Sequence, residues 1–169
     1  MPAISLQNSA APIFNQMLGG LALCLDKAAA HCEAKKIDPN ALLTARLFPD
    51  MFALVKQVQI ACDQAKGGMA RLAGMEVPKH EDNEVTFADL KKRIASTLEF
   101  VNSVPADKLT GGEDRDITLP MRSGPLTFKG LEYFNHFVLP NFYFHCATTY
   151  DILRHNGVDI GKGNYLGKA

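Results

Sequence analysis

Apolar residues recur at three- and four-residue steps through most of this chain, the pattern of helices that bury one face. Phe14, Met17, Leu18, Leu21, Leu25, Ala28 and Cys32 form one such stripe and predict a first helix from about Asn8 to Lys35. Pro12 suits a position near its start, and Ile37-Asp38-Pro39-Asn40 ends it, with a short helical turn to follow at Ala41 to Arg46. Met51, Leu54, Val58, Ala61, Ala65, Met69 and Leu72 predict a second helix from about Pro49 to Leu72. A loop from Gly74 to Asn83 leads to Thr86 and Asp89, spaced as a capping box. They head a third helix, Phe87 to about Ser103, whose inner face carries Phe87, Leu90, Ile94, Leu98 and Val101.

The period then changes. Ile117-Thr118-Leu119 and Leu126-Thr127-Phe128 are β-favouring runs separated by Arg122-Ser123-Gly124, which predicts a small β-hairpin. A fourth helix is expected from about Gly130 to Asn156, kinked or divided at Pro140 and closed by Gly157. The glycine-rich tail from Val158 to Gly167 carries apolar residues able to dock on the bundle and lacks the GxxxxGK[ST] of a phosphate loop. The pattern therefore predicts one all-α domain over residues 1–169, a four-helix bundle with a small β-hairpin before the last helix.

Composition narrows the function classes. Basic and acidic residues number 18 each, so no net field draws the chain to nucleic acid or to a membrane surface. Lys91-Lys92-Arg93, the densest basic run, is expected to face water. Cys24, Cys32, Cys62 and Cys146 lie in apolar helical patterns without CxxC or zinc spacing, as buried free thiols of a reducing compartment do. Neither a leader peptide nor a spanning segment is expected, and the predicted location is the cytoplasm.

The chemistry centres on His145. On a straight helix it lies within about 40° of Phe134, Val138, Asn141, Thr149 and Ile152, so it turns toward the core with Asn141 one turn before it. Two readings follow: a core histidine satisfied by hydrogen bonds, or part of a ligand or metal site. On the second helix Asp50, Gln57 and Gln64 repeat every seven residues, a polar stripe that is either a solvated flank or a pocket wall. Asp63 projects outward, and His31 and His80 have no partner at ligand spacing. His136 projects opposite His145 unless Pro140 alters the angle, and His155 opposes the helix dipole. Tyr150 and Arg154 either rim a pocket or anchor the tail. No GxSxG, HExxH, paired-carboxylate or dinucleotide motif is present.

Four segments taken together carry a resemblance: Arg46-Leu47-Phe48-Pro49-Asp50-Met51, Gln57-Val58-Gln59, Pro140-Asn141-Phe142-Tyr143-Phe144-His145, and Ile152-Leu153-Arg154-His155-Asn156-Gly157-Val158 with Tyr165-Leu166-Gly167. They resemble a bacterial domain-of-unknown-function family within the DinB-like superfamily. The resemblance covers nearly the whole chain and implies an up-down-down-up four-helix bundle. In better-known members three histidines, one on the second helix and two in an HxxxH on the fourth, hold a divalent metal, and several members transfer thiols. His145 resembles the last of those histidines, whereas the matching positions here are Asn141 and, at or near, Gln57. The resemblance thus implies a small-molecule pocket of His145, Asn141 and Gln57, with Asp50, Gln64, Thr149 and Tyr150 as further wall candidates and a degenerate metal triad. Two alternatives accompany it. One is a transferase or hydrolase using zinc, nickel or manganese at His145, with Asp50 or His136 recruited; the other is a non-catalytic homodimeric interaction module.

Overall fold

A computed structural model describes residues 6–168 apart from residue 122, so Arg122 of the hairpin turn lies outside the described residues. Its helices are α1 (Leu6–Lys35), α2 (Pro39–Leu43), α3 (Leu54–Leu72) and α4 (Phe87–Ser103). Two 3-10 turns, Ala106–Leu109 and Gly112–Asp114, lead to β1 (Asp116–Met121) and β2 (Gly124–Lys129). A last helical run passes through α5 (Gly130–Glu132), a π-helical segment Tyr133–Val138 and α6 (Leu139–His155), and α7 (Lys162–Tyr165) closes the chain.

Cross-bundle contacts give the directions. Asn15 pairs with Asn102 and Asp26 with Lys91, so α1 and α4 run antiparallel. Gln57 meets His145 and Arg71 meets Tyr133, so α3 and the last helical run are antiparallel too. Lys56 near the start of α3 pairs with Asp82 of the crossover just ahead of α4, and Asp63 further along α3 pairs with Arg93 of α4, which sets α3 and α4 parallel. Parallel neighbours need a connection that returns along the bundle, and residues 73–86 supply it. The result is an up-down-down-up bundle with an antiparallel hairpin in which Ile117 pairs Phe128 and Leu119 pairs Leu126.

Core and pattern agree closely. Phe14, Leu18, Leu21, Leu25, Leu54, Val58, Leu90, Ile94, Val138, Phe142 and Ile152 join one buried cluster. The Thr86 hydroxyl accepts from the Asp89 amide and the Asp89 carboxylate from the Thr86 amide, both at 3.1 Å, which closes the capping box. Gly157 has φ +87°, a conformation that favours glycine, and its amide and that of Val158 return to the carbonyls of Arg154 and Leu153. Val158 and Ile160 are buried, and α7 crosses α1 at Gly20, where any side chain would collide with the Tyr165 carbonyl.

Several boundaries differ from expectation. The chain is already helical at Leu6, which puts Pro12 inside α1. The second long helix starts at Leu54 instead of Pro49, because Phe48 and Met51 close a separate turn and Arg46 holds the Met51 carbonyl. The short helix spans Pro39–Leu43, capped by Asp38, earlier than Ala41. Pro140 does not divide the last helical run. The ladder widens ahead of it, with the Leu139 amide bonding the Phe134 carbonyl five residues back, a π-type step of the kind that inserts into α-helices.

The expectation for the basic run fails at Arg93, whose side chain is 2% exposed. Its guanidinium reaches Glu84 at 2.9 Å, Asp82 at 3.0 Å and Asp63 at 2.8 Å, while Gln59 donates to Glu84 at 2.7 Å and Lys66 pairs with Asp63 at 3.1 Å. Asp63 is therefore a bridge between α3 and α4, not a free outer residue. The network ties the crossover segment to both helices beneath it.

All four cysteines are free and buried. Burial pushes the Cys62 thiol up to about 12 and raises Cys24, Cys32 and Cys146 as well, so thiolate is scarce at neutral pH. Ellman's reagent is accordingly expected to find no reactive thiol in the native protein and four after guanidinium unfolding. Rapid native reaction of any one would contradict this packing.

Candidate functional site

The first residues of α3 and the middle of α6 face each other at one point. Ala53 is extended and caps α3 without a side-chain bond, and the first intrahelical step runs from the Gln57 amide to the Ala53 carbonyl. That leaves the Phe52 carbonyl outside the helical ladder, and Gln57 Nε2 donates to it at 3.0 Å. A carbonyl only accepts, so this bond settles the orientation of the Gln57 carboxamide. Its Oε1 is thereby turned to His145, whose Nδ1 lies 2.6 Å away.

The protonation pattern follows. Oε1 is an acceptor, so Nδ1 carries the proton, and in a neutral imidazole Nε2 keeps its lone pair. Burial lowers the His145 pKa from the usual histidine range, and no neighbouring charge opposes it. His145 is 8% exposed, and its Nε2 has no hydrogen-bond partner among the described residues and is not among their sealed, unpaired polar atoms. Below, the Thr149 hydroxyl donates to the His145 carbonyl at 2.8 Å and holds that turn of α6. Beside it, the Phe144 ring meets the imidazole edge-on, centroids 5.3 Å apart.

The other sequence candidates lie elsewhere. Asn141 is one turn from His145, but its Nδ2 donates to the Phe137 carbonyl at 2.7 Å, next to the π segment, so its carboxamide serves its own helix. Asp50 is exposed in the turn before α3 and so is not on the heptad stripe drawn from a helix starting at Pro49. Gln64 is half-buried two turns beyond Gln57 and shares no bond with His145. Tyr150 packs against Tyr165, ring centroids 5.8 Å apart, and anchors the tail. His136 and His155 are exposed. Among the described residues no group of three or more His, Cys, Asp or Glu side chains is placed to hold a metal ion.

Sequence reasoning missed two parts of this arrangement. The Phe52 carbonyl has no side-chain signature at all. Arg93, in contrast, was legible: it follows Leu90 by three, precedes Thr97 by four and Val101 by eight, the spacing of a buried face.

An up-down-down-up bundle with a small hairpin before its last helical run is the DinB-like architecture. The chain belongs to the family described as a domain of unknown function, DUF1993, whose model matches residues 6–166. It is similar to a DinB family member protein from Shewanella denitrificans, with 43% identity over 97% of this chain and 93% of that one and a TM-score of 0.91. No curated protein matches the chain. No helix among the described residues is long and apolar enough to cross a membrane.

Proposed function

We propose that this DinB-like protein binds a small molecule where α3 meets α6, through Nε2 of His145, which accepts a hydrogen bond from the ligand and is able to take up its proton. The observation that carries this reading is the relay from the Phe52 carbonyl through Gln57 to Nδ1. A bond at one ring nitrogen sets tautomer and ring direction for work at the other. Because Gln57 is neutral it orients the ring without raising its pKa, and the buried imidazole stays an unprotonated base at neutral pH.

The implied zinc, nickel or manganese fits this donor set poorly. It comprises one open imidazole nitrogen, one amide oxygen already accepting from Nδ1, and the neutral carboxamide of Asn141, whose Nδ2 donates to Phe137, where these metals favour several imidazole, thiolate or carboxylate ligands. No step is assigned to a metal. The homodimeric module is a second reading supported by one observation, the exposure of Phe48, Phe52 and Phe144, and sedimentation at micromolar concentration reads it directly.

Diethyl pyrocarbonate, which acylates unprotonated imidazole nitrogens, tests the main reading. Peptide mapping of the folded protein is expected to find His145 acylated, with the exposed His136 and His155 as internal references and a bacterial small-molecule extract protecting His145 alone. Reaction at His136 and His155 with none at His145 would refute an open Nε2.

A further inference from the structure

Away from the α3–α6 contact, the start of α1 and the π-helical segment Tyr133–Val138 border a cleft of about 330 Å³, within the size range of small-molecule sites. Leu6 and Ile13 of α1 and Leu131, Phe134 and Leu139 of the last helical run supply its apolar walls, and neither Gln57 nor His145 borders it. Phe134 is held in place by Phe14, whose ring meets it edge-on with centroids 6.2 Å apart. The polar rim depends on a close approach of two backbones. A side chain at Gly130 would collide with the Gly112 carbonyl, so glycine lets the 3-10 turn Gly112–Asp114 lie against α5. Glu113 of that turn borders the cleft. An adjoining hollow of about 480 Å³ shares Glu113, Leu131 and Asn135 with it and adds Asp114 and Glu132. The basic residues of this hollow are His136 and Lys129, and Lys129 is already bonded to Asp116 at 2.7 Å and to the Asp114 carbonyl at 3.2 Å. Glu113 and Glu132 form no ion pair among the described residues.

The π step adds an acceptor to the same rim. The Asn135 carbonyl would take the Leu139 amide in an α-helix and the amide of residue 140 in a π-helix. Leu139 instead bonds the Phe134 carbonyl and residue 140 is proline, so Asn135, which borders both hollows, loses both helical donors. We propose that this cleft is a second small-molecule site, separate from His145, and that it takes an organic ammonium. The alkyl or aralkyl body lies between Leu6, Ile13, Leu131 and Leu139, and the ammonium sits at the rim with the Glu113 carboxylate and the Asn135 carbonyl as acceptors. An ammonium donates up to three hydrogen bonds and accepts none, which matches a rim of acceptors carrying unpaired negative charge. A carboxylate or phosphate would meet like charge there, and Lys129 is held by Asp116. A neutral alcohol would cover the same apolar walls without offsetting the charge of Glu113.

The test titrates the ¹⁵N-labelled full chain with n-hexylammonium, n-hexanol, n-hexanoate and methylammonium and follows the backbone amides by NMR. Hexylammonium is expected to shift the amides of Ile13, Leu131, Asn135 and Leu139 saturably. It should bind about tenfold more tightly than hexanoate and about threefold more tightly than hexanol. Methylammonium, which lacks the apolar body, should bind at least about a hundredfold more weakly. Glu113→Gln, in a turn that is not fully buried, is expected to weaken hexylammonium about two- to fivefold and to leave hexanol unchanged. Leu131→Ala, at an exposed position, should weaken both about threefold. Hexanol or hexanoate binding as tightly as hexylammonium would overturn the ammonium class. Methylammonium binding as tightly as hexylammonium would reduce the site to acidic surface and overturn the cleft. Shifts absent from these four amides, or confined to the surroundings of Gln57 and His145, would also overturn it, while leaving the reading of His145 to its own test.

Discussion

Replacing Arg93 with leucine is expected to lower the stability of this protein by about 3–5 kcal/mol, the usual cost of removing one partner from a buried ionic cluster. At this chain length that corresponds to a melting point lower by roughly 10 °C. The loss has two sources: Glu84, itself nearly buried, is left without its guanidinium, and the crossover is released from α4 where Arg93 reaches Asp82, Glu84 and the Glu81 carbonyl. Asp63 and Asp82 are about two-fifths exposed and water takes over part of their solvation, which keeps the cost from being larger. The neighbouring Lys91–Asp26 pair is an exposed control, and Lys91→Ala should cost under about 1 kcal/mol. Urea denaturation of both variants makes the comparison, and equal small losses would mean that the Arg93 network does not hold the crossover.

The same network sets an acid limit. The Lys56 hydrogen bond holds Asp82 below its ordinary value, and at Glu84 burial would raise the carboxyl but hydrogen bonds from Arg93 and Gln59 outweigh it and bring it down. Folded pKa values below the unfolded ones mean that the stabilisation is complete above about pH 5 and is lost as pH falls through the folded values.

Gln57→Glu is expected to have the second large effect, this time on the site. A carboxylate at the position of Oε1, 2.6 Å from Nδ1, would favour the imidazolium and raise the His145 pKa by about 1–3 units. In the native protein burial lowers that pKa, so His145 contributes stability that is complete above about pH 6.5 and declines as pH falls toward its folded value. In the variant the sign reverses: the pair stabilises below the unfolded histidine value and loses that contribution as pH rises through the raised folded one. The two groups would titrate as a pair, and a proton NMR titration of the His145 ring reads the macroscopic step. Gln57→Leu separates orientation from charge. It should leave the pKa low and cost about 1–3 kcal/mol for the unpaired Nδ1 proton and Phe52 carbonyl. A low His145 pKa in the glutamate variant would mean that residue 57 does not reach the ring.

How much of this was legible depends on the kind of interaction. Helix faces were, because burial of Leu90, Ile94 and Val101 or of Phe134, Val138 and Ile152 is a periodic property of the chain itself. The inward turn of His145 was legible for the same reason, whereas Gln57 was tied to it only by the family resemblance, since spacing alone left Gln57 on either a solvated flank or a pocket wall. The start of α3 was not, since Pro49 is a favourable first-turn residue and the bonds that accompany the separate turn there, the Met51 amide to the Phe48 carbonyl, Arg46 to the Met51 carbonyl and Gln57 to the Phe52 carbonyl, leave no periodic trace. Asn141 shows the opposite limit. Its four-residue spacing from His145 suggested a shared ligand, and its Nδ2 instead donates to the Phe137 carbonyl one turn back on its own helix, a bond that spacing does not reveal. Arg93 was misassigned by weighing the charge run Lys91-Lys92-Arg93 above the spacing of the apolar residues around it.

By this geometry His145 is neutral, carries its proton on Nδ1 and presents Nε2 as an open lone pair. Long-range ¹H–¹⁵N correlation spectra of the histidine rings at pH 7.5 measure this directly. A protonated, pyrrole-like Nδ1 and an unprotonated, pyridine-like Nε2 are expected for His145, with Nδ1 losing its hydrogen-bond signature in Gln57→Leu. A proton on Nε2, or two equivalent protonated nitrogens at that pH, would contradict it.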